Sequence, residues 1–211
     1  MDEIILLDRD KRIIREINRW KAIQGRHIRE LVGFTGQRAC DRRLRKLVQA
    51  GYLTKERILY GVAGIYKNTS KAIKIEKLPL TKGKIRIEQI KHDIAVLDTA
   101  IYFNKNYKIL YNDIISEIQL HRLDGFGIRR HRPDFIYKKD GKTTCVEIEL
   151  TLKSKDRFLN IIKTNFLEYE KQIWIVPDLD SKIAKTLEKN KIVYSNIEII
   201  ELSKIQETQE K

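Results

Sequence analysis

Apolar residues near the start of the chain recur three and four positions apart. Ile13, Ile14, Ile17 and Trp20 form one such stripe, with Asp8 placed to cap the helix it predicts. A second helix is expected over 26–32, with Ile28, Leu31 and Val32 inward. Gly33-Phe34-Thr35-Gly36 breaks the chain. Thr35 can cap a third helix that turns Cys40, Leu44, Leu47 and Val48 inward and ends at Gly51. Two β-like runs follow, 54–60 and 65–69, around Gly61 and Gly64. Residues 71–84 hold Pro79 and Gly83 and keep no period, so they are read as a linker.

The pattern resumes at residue 85. Ile85, Ile90, Ile94, Leu97 and Ile101 line one side of a helix expected over 85–103. Over 107–122 the period changes. Ile114, Ile115, Ile118 and Leu120 there predict a strand, or a helix-to-strand transition, with Glu117 in its middle. Residues 123–132, LDGFGIRRHR, read as a loop. Two short β-type runs, PDFIYKK and KTTCVEIEL, then flank Asp140-Gly141, which is a hairpin signal. A helix is expected over 155–169, a buried strand over 171–176, a helix over 180–190 and a strand over 193–202. The tail beyond Ile205 is polar and is expected to fray.

These elements predict an α/β (α+β) protein in two domains. Helix, helix, short turn, helix, hairpin is the order of a winged helix-turn-helix, assigned to 1–70. The linker is 71–84. Over 85–211 the order α, β, β, β, α, β, α, β argues for a layered domain with crossover helices.

Charge adds a partner. The 211 residues carry a formal net charge of +14. Residues 1–80 hold 19 Lys and Arg against 9 Asp and Glu, so most of the excess lies in the winged-helix segment. That distribution points to double-stranded DNA. The third helix presents Gln37, Arg38, Arg42, Arg43, Arg45 and Lys46, and its basic face can lie in a major groove. Lys55, Arg57 and Lys67 on the wing would meet phosphates. A winged helix used for protein contact, or a merely solvated charged face, is the other reading. Arg129, Arg130 and Arg132 form a second basic patch, which either binds phosphate or neutralises the nearby acids. Cys40 and Cys145 are far apart and form no CxxC pair, as expected for reduced thiols in the cytoplasm. No run approaches a membrane span, so no membrane partner is expected.

The candidate chemistry sits on the second hairpin. Glu147 and Glu149 are two residues apart, so they share one face of their strand, while Val146, Ile148 and Leu150 take the other. The acidic face is either plain solvent surface or a metal site. Asp134 on the first arm can converge with Glu147 on one cation, with Glu149 and Glu117 as further oxygen donors. Hard cations such as Mg²⁺ favour oxygen ligands of this kind.

Here the residues reach a resemblance. Pro133-Asp134, about a dozen residues, then Glu147-Ile148-Glu149 on a hairpin looks like the PD-(D/E)xK nuclease signature. The order of elements from 85 is similar to that fold's αβββαβ core. A winged helix, then His92-Asp93, Ser116-Glu117, Arg132-Pro133-Asp134, Glu147-x-Glu149, Lys163 and Tyr169 resembles the plasmid replication-relaxation family, which includes relaxases of the MOBC class. The resemblance implies metal-dependent nicking at a plasmid or mobile-element origin. It implies Asp134, Glu147 and Glu149 as ligands of Mg²⁺ or Mn²⁺, with Glu117 as an auxiliary acid. Glu149 stands where the wider pattern has a lysine, and either Lys153 or Lys163 could reach back to supply that charge. Two other functions stay open. One is a nuclease of the same fold that makes double-strand breaks in restriction or transposition. The other is a non-catalytic initiator or repressor whose second domain only forms a homodimer.

Overall fold

The computed structural model describes residues 4–20, 23–80, 87–125, 127–128 and 130–207. The protein mixes helices and strands and forms two compact units, Met1–Leu97 and Asp98–Lys211.

In the first unit, α1 (Asp8–Arg19) buries Ile13, Ile14 and Ile17. Its start is closed from within: the Leu7 amide donates to Asp10 Oδ2 at 2.7 Å. Asp8 is instead a helical residue whose carboxylate meets Lys11 at 3.5 Å, in solvent. α2 (Gly25–Val32) ends on Gly33, whose φ of +75° is the left-handed closure that glycine adopts without strain. α3 (Gln37–Gln49) buries Cys40, Leu44 and Leu47, with Gly36 rather than Thr35 at its cap position. The chain then forms a three-stranded antiparallel sheet in the order β1-β3-β2, from β1 (Ile23–Gln24), β2 (Leu53–Glu56) and β3 (Ile65–Asn68). β1 is too short to leave a period in the sequence. β2 stops at Glu56, because Ile58 and Leu59 turn instead toward Ile65 and Ile90 in a small apolar cluster.

The segment read as a linker is partly built into this unit. α4 (Ser70–Ile75) is capped by Thr69, whose hydroxyl oxygen accepts from the Ala72 amide and donates to Gly51 O at 2.7 Å. Arg15 bonds Glu76 at 3.0 Å, and Asn18 Nδ2 donates to Pro79 O at 3.2 Å. Six residues with one buried side chain, Ala72, are too few for a period to show. Residues 81–84 lie outside the described residues.

The division between units falls within α5 (Ile90–Tyr107), which is preceded by a 3-10 turn at 87–89. The second unit is a five-stranded mixed sheet in the order β4-β5-β6-β7-β8. β4 (Ile114–Ser116), β5 (Phe135–Lys139) and β6 (Lys142–Ile148) pair antiparallel. β6, β7 (Lys171–Val176) and β8 (Ile197–Glu201) pair parallel. Parallel neighbours require crossovers, supplied by α7 (Lys155–Glu168) and α8 (Lys182–Asn190). One face packs Trp174 and Val176 against Phe158, Ile161, Ile162 and Leu187 of those helices. The other holds the ring of Phe103 against Phe135 (6.1 Å) and Tyr137 (5.6 Å).

Several boundaries differ from expectation, among them the end of α5, which runs four residues past 103 to Tyr107. Glu117 is not on a strand but opens α6 (Glu117–Asp124). Ser116 and Gln119 cap that helix reciprocally, each side chain bonding the other's backbone amide. α6 therefore also takes the first two residues of the expected loop. β8 begins four residues later than expected. α9 (Leu202–Glu207) takes in the first two residues of the expected fray, with Ile205 fully buried, and residues 208–211 lie outside the described residues. Among the described residues, no helix is long and apolar enough to cross a membrane.

Candidate active site

The β5–β6 hairpin turns on Asp140 and Gly141, both at positive φ (+51° and +76°), which matches the twist of the paired strands. Its register sets Phe135 opposite Val146, so Asp134 lies beside the end of β6. Asp134 is anchored twice. Its Oδ2 accepts from the Ile148 amide at 2.7 Å, and its carbonyl accepts from the Glu117 amide at 2.9 Å.

β6 is the middle strand of its sheet, so its acidic face is not a solvated edge. Glu147 pairs across β6–β7 with Trp174, which places it on the face that α7 covers. Glu147 and Glu149 are 4% and 2% exposed, which removes the plain-surface reading of these acids. Buried carboxylates need partners. Glu147 Oε1 accepts from Asn165 Nδ2 at 2.9 Å and lies 2.6 Å from His131 Nε2. Glu149 is paired with the ammonium of Lys153.

Burial pushes Glu147 up, the His131 and Asn165 contacts pull it back, and the charge of Asp134 adds to the rise. Burial pulls His131 down, but its hydrogen bond to Glu147 and the charges of Glu147 and Asp134 outweigh this and raise it. Both shifts have one meaning: the pair holds a proton between Glu147 and His131 more tightly than either group would alone. Burial also raises Glu149, against the pull of Lys153 and with the repulsion of Glu147 and Asp134. Three carboxylates thus feel one another around a site that carries its own cations.

His131 and Asn165 are the functional candidates that sequence reasoning missed. His131 lies in the run HRPD, three residues before Asp134, where arginines drew the eye. Asn165 is the one polar residue on the buried stripe of α7. Its Oδ1 is buried with no hydrogen-bond partner, an acceptor left open beside the carboxylates.

Glu117 adjoins Asp134 through its backbone amide, while its carboxylate pairs with His121 at 3.4 Å on α6. Lys163 is exposed and, two residues from Asn165, points about 160° away from it around α7. Lys153 is therefore the lysine that reaches the acids. Arg132 is held by Asp124 and by Glu168 (3.2 Å), and Arg130 shares Asp124, so this patch neutralises Asp124 and Glu168 rather than the hairpin acids. Arg129 lies outside the described residues. Burial pushes the Tyr169 hydroxyl up to about 12 and raises Tyr137 as well, so neither ionises near neutrality.

In the first unit, Gln37, Arg38, Arg42, Arg45 and Lys46 are exposed on α3. Arg43 is not: it clamps α3 to α1, with Nε donating to the fully buried Asp10 at 2.7 Å and a second nitrogen donating to Ile5 O. Arg57 is exposed, Lys55 sits 5.4 Å above the Tyr66 ring, and Lys67 pairs with Glu56 at 2.6 Å. Among the described residues, no three His, Cys, Asp or Glu side chains are disposed about one point as a metal cage. The carboxylate oxygens of Asp134 and Glu147 are donors of the kind Mg²⁺ takes, since it is commonly held by one or two carboxylates and keeps several waters. The charges of Asp134, Glu147 and Glu149 act on one another, and Asn165 Oδ1 is an unpartnered acceptor beside Glu147. The chain matches no protein-family model and no curated protein.

Proposed function

We propose that the chain is a metal-dependent DNA-nicking endonuclease of the relaxase type, acting in the cytoplasm at a plasmid or mobile-element origin. In this reading the first unit is a winged helix-turn-helix that holds double-stranded DNA, and the second is a PD-(D/E)xK nuclease-like domain. One observation carries it: Asp134, Glu147, Glu149 and Lys153 converge at the end of a central strand, two of the acids almost wholly buried. Burying charge is costly, and a fold with no use for these acids would hold apolar residues there.

Asp134 and Glu147 would hold Mg²⁺ or Mn²⁺. When bound, the cation supplies polarisation of the phosphodiester and a more acidic water. Asn165 orients Glu147 by its amide, and His131 fixes the same oxygen from the other side. Lys153 supplies the positive charge that the wider motif places at position 149, and Glu149 holds that ammonium beside the acids. The charge is then available to the phosphate as negative charge builds on it.

A second reading, a non-catalytic initiator or repressor, is favoured by the partners already seated on the acids, His131 and Asn165 on Glu147 and Lys153 on Glu149. Supercoiled plasmid carrying the origin, incubated with Mg²⁺ or Mn²⁺, separates the readings. Open circles are the expected product, lost in Asp134→Asn and Glu147→Gln. Linear product assigns a double-strand endonuclease of restriction or transposition type. Tight origin binding with the plasmid left supercoiled assigns the non-catalytic role.

A further inference from the structure

The first unit holds a cavity of about 680 Å³, within the range of sites that enclose small ligands or parts of large ones. Its walls are the start of α2, one side of α3 and the β2–β3 hairpin. Four cations line it: Arg26 and Arg29 from α2, Arg45 from α3 and Lys55 from β2, of which Arg29 also pairs with Glu30 at 3.1 Å. Asp41 is the one acid among the lining residues, and it stands between the amides of Gln37 and Gln49.

The walls are tied together. Arg26 Nε donates to Gln24 Oε1 at 2.9 Å, and Gln24 Nε2 donates to Ala63 O at 3.1 Å, which joins α2 to the loop before β3. Lys55 is steadied over the Tyr66 ring at 5.4 Å. A Cβ at Gly64 would come within 2.8 Å of Lys55 Cε, so the lysine chain would have to shift to admit one.

A net excess of cations calls for a polyanion. Amides and a carboxylate among them call for a ligand that also has hydrogen-bonding edges: glutamine pairs with adenine, and aspartate accepts from the cytosine amino group. We propose that this cavity seats a DNA strand, with Arg26, Arg29, Arg45 and Lys55 on phosphates and Gln37, Asp41 and Gln49 on base edges. The proposal rests on the first unit being the DNA-binding part of the protein. It adds the α2 arginines, Asp41 and Gln49 to the contacts and leaves out Arg43.

The test measures binding of a labelled mixed-sequence duplex of roughly 30 base pairs by anisotropy between about 50 and 200 mM salt. Arg26→Ala/Arg29→Ala is expected to lower the slope of log affinity against log salt by about two. Its affinity loss over that salt range then shrinks about tenfold relative to wild type. Arg45→Ala, an exposed helix position, is expected to lower the slope by about one and serves where the double variant unfolds. Selection from a randomised duplex pool is expected to return a different preferred base for Asp41→Asn. Folded variants with wild-type slopes, or an unchanged selected sequence for Asp41→Asn, overturn the seat while DNA binding by the protein stands. A wild-type protein that binds no duplex overturns both.

Discussion

Lys153, in the loop before α7, pairs its ammonium with Glu149 just past the end of β6. The Glu149 side chain is 2% exposed and that of Lys153 is 28% exposed, so the pair forms at the rim of the site, with the acid inside. Removing the cation leaves a buried carboxylate alone. Lys153→Met is therefore expected to lower stability by about 1–3 kcal/mol, and Glu149→Gln added to it to recover most of that. Urea unfolding of the two singles and the double closes the cycle. An additive double variant shows that the pair is not coupled.

Nicking separates the two candidate lysines. Lys153→Met is expected to slow plasmid nicking by about a hundredfold or more, the cost of losing one charge aimed at a transition state. Lys163→Ala, on the exposed side of α7, is expected to nick at the wild-type rate. The reverse result moves the catalytic charge to α7.

Asp134 has a structural as well as a chemical duty, since its Oδ2 satisfies the Ile148 amide. Asp134→Ala leaves that amide unpaired and is expected to cost about 1–3 kcal/mol, whereas Asp134→Asn keeps an acceptor and most of the stability. Both are expected to abolish nicking. Equal melting temperatures for the two variants would show that the hydrogen bond is not holding the strand end.

Arg42 and Arg43 are neighbours in sequence with opposite work. Arg43→Ala is expected to destabilise the protein by about 3 kcal/mol, because Asp10 is fully buried and would lose its cation. Arg42→Ala is expected to leave stability alone and to weaken DNA binding. Thermal melts paired with salt titrations read both effects. A destabilised Arg42→Ala with normal binding contradicts the placement.

Stability should fall as the medium turns alkaline. His131 is raised in the folded protein, so its stabilising contribution is complete below the ordinary value of 6.5 and is lost as pH climbs through the folded value. Glu147 and Glu149 are also raised, by burial first, and lose stability in the same direction as pH rises above the ordinary 4.5. The urea midpoint is expected to drop as pH rises above the ordinary histidine value of about 6.5, and His131→Gln to flatten that part of the drop. A parallel profile for the variant assigns the effect to other groups.

Period and turn chemistry made the large elements legible. α1, α2, α3, α7 and β7 follow their apolar spacing, and Asp140-Gly141 announced the turn that sets the register of the acids. Elements fixed by contacts rather than by pattern were not legible. β1 exists only because it pairs with β3, and α4 because Thr69 and Ala72 find partners in the first unit. Glu117 was misplaced because four isoleucines and leucines outweighed the Ser116-x-x-Gln119 cap. In the site, alternation showed that Glu147 and Glu149 share a face. Whether that face was wet depended on where β6 stands in the sheet, which alternation does not encode. His131 and Asn165 belong to a loop and a helix whose meeting with β6 is tertiary.

The change of strand direction at β6 also orders the site in time. Asp134 and the two glutamates are joined by a tight hairpin, which closes at small entropic cost on the microsecond scale. Asn165 arrives only with the crossover that lets β7 pair parallel to β6. The acids are therefore expected to meet while still hydrated, with the cost of dehydrating Glu147 falling on the later docking of α7. The kinetic signature is an Asn165→Ala variant that speeds unfolding and leaves the folding rate nearly unchanged, so the closed site is guarded mainly by the barrier to leaving it.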